Sequence, residues 1–200
     1  PDATRGRRHR VRLNLGSGLQ PMDGWVNVDQ CDLPGVDLVH DLDSREPLPY
    51  PDASVSEFRA QHVIEHLRDP LRMMGECYRV AEPDALFILT CPYGSSDDAD
   101  ANPTHCRRMF LGSWGFFGQP YYWREDYGYR GDWRIEQVIL KVDAEAWSGR
   151  TDGVVMDAVN TRRNVVTEME AHLRAQKPAR ARERSLQEPL RVEIARMRVG

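Results

Sequence analysis

The stretch Val11-Arg-Leu-Asn-Leu-Gly-Ser-Gly18, followed by Trp25-Val-Asn-Val-Asp29, decides the fold class of this 200-residue chain. Leu13 and Leu15 alternate with a polar residue and Gly16 ends the apolar run, a pattern that predicts a strand entering a tight turn. Two glycines separated by one residue let the backbone approach a ligand closely, because neither carries a Cβ atom. An acid at the end of the next strand can accept hydrogen bonds from both hydroxyls of a ribose. Gly-Ser-Gly alone is common in plain turns, so the spaced acid is what indicates a nucleoside-containing ligand.

Periodicity predicts alternating strands and helices over the rest of the chain. Strands are predicted at residues 36–41, 55–61, 85–91, 133–142 and 191–199, and helices from Asp69-Pro70 to near Pro83 and over 152–175. This alternation is typical of an α/β fold with a Rossmann-like, doubly wound, mostly parallel sheet and helices on both faces. Seven residues separate Gly18 from Val26, which leaves room for about one turn of a first helix. The predicted fold ends with a C-terminal helix and strand.

Length and composition predict one domain over residues 11–200, which is long enough to bury a core without disulfides. We expect a mobile basic arm at 1–10 and a polar loop at 176–189. No apolar run approaches the ~20 residues that span a bilayer, and the first residues lack the apolar stretch of a signal peptide. The four cysteines form no Cys-x-x-Cys pair, which favours free thiols and a cytoplasmic location.

The net charge of −4 is unevenly distributed. Residues 1–12 and 174–198 together carry 13 basic and four acidic residues, and the remaining stretch has a net charge of −13. Basic ends on an acidic body can hold an anionic partner, although solvated termini explain the same pattern. Because an acidic body is a poor surface for duplex DNA, we do not expect nucleic acid as a partner.

The stretch Gln61-His-Val-Ile-Glu-His-Leu67 admits two interpretations. His62-x-x-Glu65-His66 matches the inverted zincin signature, in which two histidines one helical turn apart bind zinc and the glutamate activates water. That chemistry needs a helix and a third ligand, whereas here the motif directly follows a predicted strand. A zinc hydrolase is therefore a remote alternative, and a structural strand-to-helix corner also explains the two histidines.

Taken with its surroundings, the same stretch carries a family resemblance. The order Leu-Asn-Leu-Gly-Ser-Gly, Trp-Val-Asn-Val-Asp, His-Asp-Leu, His-Val-Ile-Glu-His-Leu and Leu-Phe-Ile-Leu-Thr-Cys-Pro resembles the class I S-adenosylmethionine-dependent methyltransferases. It is most similar to small methyltransferase domains in which His-Val-(Leu/Ile)-Glu-His follows the fourth strand. The resemblance covers residues 11–110. It implies S-adenosyl-L-methionine as cofactor and S-adenosyl-L-homocysteine as product.

The resemblance also implies a cofactor site. Asp29 would hold the ribose hydroxyls, Asp41 would face the adenine, and His62 would help to close the site behind the sulfonium. The usual third glycine of the first motif is missing, because Leu19 follows Gly18. The full set of implied cofactor-binding residues is Leu15, Gly16, Ser17, Gly18, Asp29, Asp41, Leu42, Gln61 and His62.

The acceptor is predicted to lie beside the end of the fifth strand. Methyl transfer is an in-line displacement, so positioning supplies much of the rate, and a base is needed only where the acceptor must lose a proton. His105 is the candidate base because strand ends carry the chemistry of α/β sheets; a loop-fixing hydrogen bond is its structural alternative. Tyr93 lies on the same edge. No acidic metal-binding cluster stands out, so we expect metal-independent chemistry and no metal ligands.

Residues 110–133 hold ten of the 17 aromatic residues, interrupted by five glycines. Core segments are seldom so rich in glycine, and Tyr and Trp favour surfaces where one end stays wet. We interpret the segment as a lid or wall over the acceptor pocket. A dimer surface or packing under the sheet are the alternatives.

The sequence therefore predicts an S-adenosylmethionine-dependent methyltransferase that acts on an oxygen or nitrogen atom of a small-molecule acceptor. The alternative from another class is a cofactor-binding, non-catalytic interaction protein. The expected partners are the small-molecule acceptor and, if the aromatic segment is an interface, a second copy of the chain. No membrane partner is expected.

Overall fold

A computed structural model describes residues 10–198 of the chain. The strands are β1 (Val11–Leu15), β2 (Val26–Asp29), β3 (Leu38–Val39), β4 (Val55–Gln61), β5 (Ala81–Pro92), β6 (Trp133–Asp143), β7 (Val166–Ala175) and β8 (Val192–Met197). The α-helices are α1 (Pro70–Val80), α2 (Asp98–Ala101) and α3 (Asp152–Thr161), and 3-10 helices lie at Ile64–His66, Leu111–Phe117, Gln119–Tyr122 and Arg184–Leu186. The predicted arm lies outside the described residues except for its last residue, Arg10.

All eight strands form one sheet in the order β3-β2-β1-β4-β5-β7-β6-β8. Only β7 runs antiparallel to its neighbours, β5 and β6, and the remaining neighbours are parallel. The predicted α/β class with a mostly parallel sheet is confirmed. The chain runs outward from β1 to β3 and then returns to place β4 on the other side of β1. Such a switch point leaves a crevice outside the carboxyl ends of the two central strands.

The predicted helix over 152–175 is wrong in its second half. The helix ends at Thr161, the chain turns at Asn164 with φ of 57°, and residues 166–175 form β7. From Met169 to Ala175 every second side chain is buried, because apolar residues with a period of two fill one face of a strand. The apolar positions before Thr161 do follow helical spacing. The later apolar positions were therefore assigned to the same helix, although their spacing changes to a period of two.

Two shorter predictions also need correction. The connection from β1 to β2 contains turns in place of the single helical turn predicted there, and the third strand comprises only Leu38–Val39 instead of residues 36–41. The third strand lies at the edge of the sheet, where a strand has one partner only. A short edge strand leaves few unpaired backbone groups exposed.

Helix α1 buries one face, which includes Met74 and Cys77, and also receives a hydrogen bond from a buried tryptophan. Its start is as predicted, with the Asp69 carboxylate accepting the Arg72 backbone N–H at 3.1 Å. Trp133 is almost fully buried and donates its indole N–H to the Met74 carbonyl at 3.0 Å. Over residues 10–198, no helix is long and apolar enough to cross a membrane.

The aromatic residues of segment 110–133 divide between core and surface. The 3-10 helix at Leu111–Phe117 contacts β6, so part of the segment packs as core, in line with the packing alternative. The buried members are Trp114, Phe117, Tyr122, Tyr129 and Trp133. The members exposed over more than a third of their surface are Phe110, Phe116, Trp123 and Tyr127.

Candidate functional site

An open cleft of about 630 Å³ lies at the switch point of the sheet. The carboxyl ends of β1, β2 and β4 form its floor. Of the implied cofactor residues, those that line the cleft are Gly16, Asp29, Asp41, Leu42 and His62. The far wall is formed by the loop after β5, through Pro103, Thr104 and Cys106.

The loop after β1 exposes backbone to the cleft. Gly16 and Gly18 have φ values of 62° and 52°, a left-handed conformation that glycine adopts without steric cost. A Cβ atom on Gly18 would meet no other atom within 4 Å, so open space adjoins this residue. Leu15 is fully buried in the core, and the buried hydroxyl of Ser17 has no hydrogen-bond partner within residues 10–198.

Asp29 stands at the end of β2 and holds this loop in place. Its Oδ2 accepts the Gly18 backbone N–H at 2.8 Å, and its Oδ1 accepts the Cys31 backbone N–H at 3.0 Å. A carboxylate oxygen can accept two hydrogen bonds. Each oxygen of Asp29 therefore retains one acceptor position for a ligand hydroxyl.

The loop after β3 forms the side of the cleft. Asp41 is exposed, and its carboxylate accepts the Asp43 backbone N–H at 2.9 Å. The Asp43 carboxylate in turn accepts the backbone N–H groups of Arg68 and Asp69 at 3.0 and 3.2 Å. These bonds tie the implied adenine wall, Asp41 and Leu42, to the start of α1.

His62 lies between two carboxylates at the end of β4. Its Nε2 is 2.9 Å from Glu168 Oε2 and its Nδ1 is 3.2 Å from Glu65 Oε1. These two hydrogen bonds raise the pKa of His62 to about 9 against the opposing effect of burial. Lys141 also pairs with Glu168. His62 is therefore an imidazolium at neutral pH, and Gln61 beside it is exposed at the strand end.

The zincin-like geometry is absent from this motif. Ile64–His66 is a single 3-10 turn, and His62 precedes it with a left-handed φ of 54°. Both ring nitrogens of His62 face carboxylates, so His62 and His66 do not form a ligand pair on one helical face. The zinc-hydrolase interpretation of His62-x-x-Glu65-His66 therefore lacks its structural basis.

The two candidate catalytic residues occupy different surroundings. Tyr93 is buried against Phe110 with ring centroids 5.5 Å apart, and burial raises the pKa of its hydroxyl. His105 is half-buried, and its Nδ1 lies 3.2 Å from the Ala99 carbonyl oxygen. Neither side chain lines the cleft, although Thr104 and Cys106 on either side of His105 do. Their catalytic roles stay predictions.

Two residues next to the candidate site were not predicted from the sequence. Glu168 comes from β7, the strand predicted as helix, so its approach to His62 could not be foreseen. Thr104 lies 2.9 Å from the His66 ring through its hydroxyl. The only sequence signal for it was its position in the loop after the fifth strand.

Replacing Gly16 with alanine is expected to destabilise the fold, because the new Cβ would lie 2.3 Å from Val63 Cγ2 in a backbone with positive φ. The expected loss in the free energy of unfolding is about 2–4 kcal/mol. Gly18→Ala is the matched control: its Cβ meets open space, so it should lose about 1 kcal/mol. Urea denaturation of both variants measures the two losses in the free energy of unfolding. Equal losses would contradict the predicted clash at Gly16.

A family model described as "Methyltransferase domain" matches residues 21–89 of the chain. A Mycolicibacterium smegmatis protein named a probable S-adenosylmethionine-dependent methyltransferase is 36% identical over 96 residues, which is 46% of this chain and 37% of that protein. A similarly named Mycobacterium tuberculosis protein is 38% identical over 66 residues, covering 31% of this chain and 24% of that protein. The chain thus spans between about a quarter and two fifths of the length of these relatives.

Solved structures support the fold. A S-adenosylmethionine-dependent methyltransferase from Archaeoglobus fulgidus aligns with a TM-score of 0.56 and 16% identity, over 82% of this chain and 86% of that one. A Haloferax volcanii complex of the Trm112 methyltransferase activator contains a chain that aligns with a TM-score of 0.52 and 16% identity. That alignment covers 84% of this chain and 83% of that one. At such identities the likeness concerns the fold.

Proposed function

We propose that this chain, which has the fold of class I S-adenosylmethionine-dependent methyltransferases, moves a methyl group to an oxygen or nitrogen atom of a small molecule. The observation that carries the proposal is Asp29 at the end of β2, facing the switch-point cleft beside two left-handed glycines. The segment matched by the methyltransferase-domain family, residues 21–89, includes Asp29 and His62. The fold, the matched segment and the lining of the cleft support this proposal.

The residues present fit the cofactor. Asp29 retains two acceptor positions for ribose hydroxyls, and Gly18 leaves space for a ligand against the backbone. The Ser17 hydroxyl is buried and does not line the cleft, so the backbone of Gly16, which does, would adjoin the polar methionine end. S-adenosylmethionine would supply an activated methyl group there. Asp41 and Leu42 would adjoin its adenine.

The acceptor is expected against the wall formed by Pro103, Thr104 and Cys106. Because the displacement is in line, this chain's contribution is to hold the acceptor atom in place and exclude water. An acceptor that must lose a proton requires a base, and His105 stays the predicted candidate. We infer a small-molecule acceptor because the site is a concave cleft, the kind of site that small ligands usually occupy.

Calorimetric titration with S-adenosylhomocysteine tests the cofactor site. We expect micromolar binding with one site per chain, a free energy of about −8 kcal/mol. Absence of binding would contradict the proposal. Turnover of labelled S-adenosylmethionine with a panel of hydroxyl- and amine-containing small molecules then tests catalysis.

A second candidate function is a cofactor-binding, non-catalytic interaction protein. The exposed aromatic residues Phe116, Trp123 and Tyr127 favour it, since aromatic residues are enriched at protein interfaces. One of the structurally similar chains was solved in complex with a methyltransferase activator. Cofactor binding without turnover on any acceptor, together with self-association lost on Trp123→Ser, would support this candidate over the first.

A further inference from the structure

We propose that Glu65, His66 and His105 bind a divalent transition-metal ion of the zinc class at the rim of the cleft. One potential ligand atom from each of the three residues lies within 4.8 Å of the other two. The two imidazole rings pack edge to face with centroids 4.7 Å apart. Two imidazoles and one carboxylate form a ligand set typical of catalytic zinc and related metals.

Glu65 has an oxygen that lacks a partner. Its side chain is 3% exposed, and its Oε1 faces His62. Its Oε2 is buried and has no hydrogen-bond partner within residues 10–198. Buried polar atoms are nearly always paired, and an unpaired carboxylate oxygen is costly. A bound cation would satisfy this oxygen.

The hydrogen bond of His66 leaves its other nitrogen free to bind a metal. Thr104 Oγ1 donates its single proton to Asn102 Oδ1 at 2.8 Å and lies 2.9 Å from His66 Nδ1. The threonine oxygen therefore accepts a hydrogen bond from the Nδ1–H group of His66. The neutral ring then carries its lone pair on Nε2.

His105 has the same arrangement. Its Nδ1 lies 3.2 Å from the Ala99 carbonyl oxygen, which can only accept a hydrogen bond. In the neutral ring, Nδ1 therefore carries the proton and Nε2 carries the lone pair. A histidine that binds a metal through one nitrogen almost always donates the other N–H to an oxygen of this kind.

The two segments that supply the ligands are tied together. The backbone N–H groups of Cys106 and Arg107 donate to the Glu65 carbonyl at 2.8 and 3.2 Å. The Arg107 guanidinium also donates to the Leu67 carbonyl at 3.1 Å. His105 is thus held beside the 3-10 turn that carries Glu65 and His66 before any ion binds.

The site differs from both expectations drawn from the sequence. The zincin pattern uses His62 and His66 as the two histidine ligands, whereas the proposed site uses His66 and His105. The expectation of no metal ligands was based on the lack of an acidic cluster, and it did not consider histidines that come from separate loops. Three protein ligands leave a coordination position for an oxygen atom of a bound molecule. Binding of an acceptor oxygen at this open position rests on the proposed function. A metal on His105 Nε2 would also replace the base role predicted for this residue.

Titration of the chelator-treated chain with Zn²⁺ alone, followed by calorimetry, tests the proposal. We expect one ion per chain, and His105→Ala should weaken binding by about 100-fold or more, since even outer-shell changes cost about 10–100-fold. His66→Gln, which removes the histidine ligand from the 3-10 turn at Ile64–His66, should weaken zinc binding to a similar extent. Circular dichroism verifies that each variant is folded.

His172→Gln is the matched control, because His172 pairs with Glu170 in the sheet, outside the cluster. It should bind zinc like the unmodified chain. Two results would overturn the proposal: no stoichiometric zinc in the unmodified chain, or loss of zinc in His62→Gln while folded His105→Ala retains it. An Asp29→Ala variant should lose S-adenosylhomocysteine yet bind zinc normally, which separates a failure of this proposal from a failure of the proposed function.

Discussion

Replacing Asp29 with alanine is expected to lower the affinity for S-adenosylhomocysteine by about 100-fold or more. The carboxylate can accept hydrogen bonds from both ribose hydroxyls, and hydrogen bonds to a charged group contribute about 1.5–3 kcal/mol each. A loss of about 3 kcal/mol corresponds to roughly two orders of magnitude in Kd. The variant also loses the bonds to the backbone N–H groups of Gly18 and Cys31, so the loop is less well ordered for binding.

Calorimetric titration of three variants checks this expectation. Asp29→Asn keeps the shape and one oxygen acceptor, and its affinity should fall between those of the unmodified chain and Asp29→Ala. Asp23→Ala removes the same charge from an exposed position in the preceding loop and should bind normally. Unchanged affinity in Asp29→Ala would refute the ribose assignment and, with it, the basis of the proposed function.

Replacing Arg180 with alanine is expected to cost about 3–5 kcal/mol of the free energy of unfolding, because it leaves a buried charge without its counterion. Asp132 is completely buried, and Arg180 donates to its two oxygens at 2.8 and 3.0 Å. The Gln119 backbone N–H also donates to Asp132 at 3.1 Å. This cluster joins the predicted loop at 176–189 to the start of β6 and the aromatic segment.

Urea denaturation measures the loss. Arg184→Ala is the control, because it removes an arginine from the same loop. The Arg184 guanidinium lies over the exposed ring of Trp123 at 5.5 Å. Its removal should cost under about 1 kcal/mol of the free energy of unfolding. The double variant Asp132→Asn/Arg180→Ala removes the buried charge as well and should recover part of the loss. Similar stabilities for Arg180→Ala and Arg184→Ala would show that the pair contributes little.

The predictions that held rest on residues close together in the chain. Local periodicity predicts strand β4, and the Asp69-Pro70 pair predicts the start of α1. The glycines after β1 and the short connection to β2 predict that Asp29 lies at the carboxyl end of a strand. The prediction over 152–175 failed at a point where helical spacing passes into a period of two. Asn164 marks that turn, but a single asparagine is not a strong enough signal to divide an apolar segment.

The candidate site was predictable on its β1–β2 side and not on its β5–β7 side. Gly16 and Gly18 lie in one turn, and Asp29 ends the next strand along the chain, which pairs with β1 across a short connection. His62 meets Glu168, and His66 meets His105, only because β4 lies beside β5 and β5 beside β7. Nothing in the periodicity of either strand specifies its neighbour.

The amino-acid sequence by itself thus determined the fold class and the acid at the end of β2, because these depend on the local alternation of apolar residues and on turn-forming glycines. Only the tertiary structure decided which side chains face one another across the cleft. It brought Glu168 to His62, Arg180 to Asp132, and His105 to the Glu65–His66 turn. The physical reason is that periodicity reports which face of an element is buried, whereas the contacts between distant elements arise from the order in which strands pack.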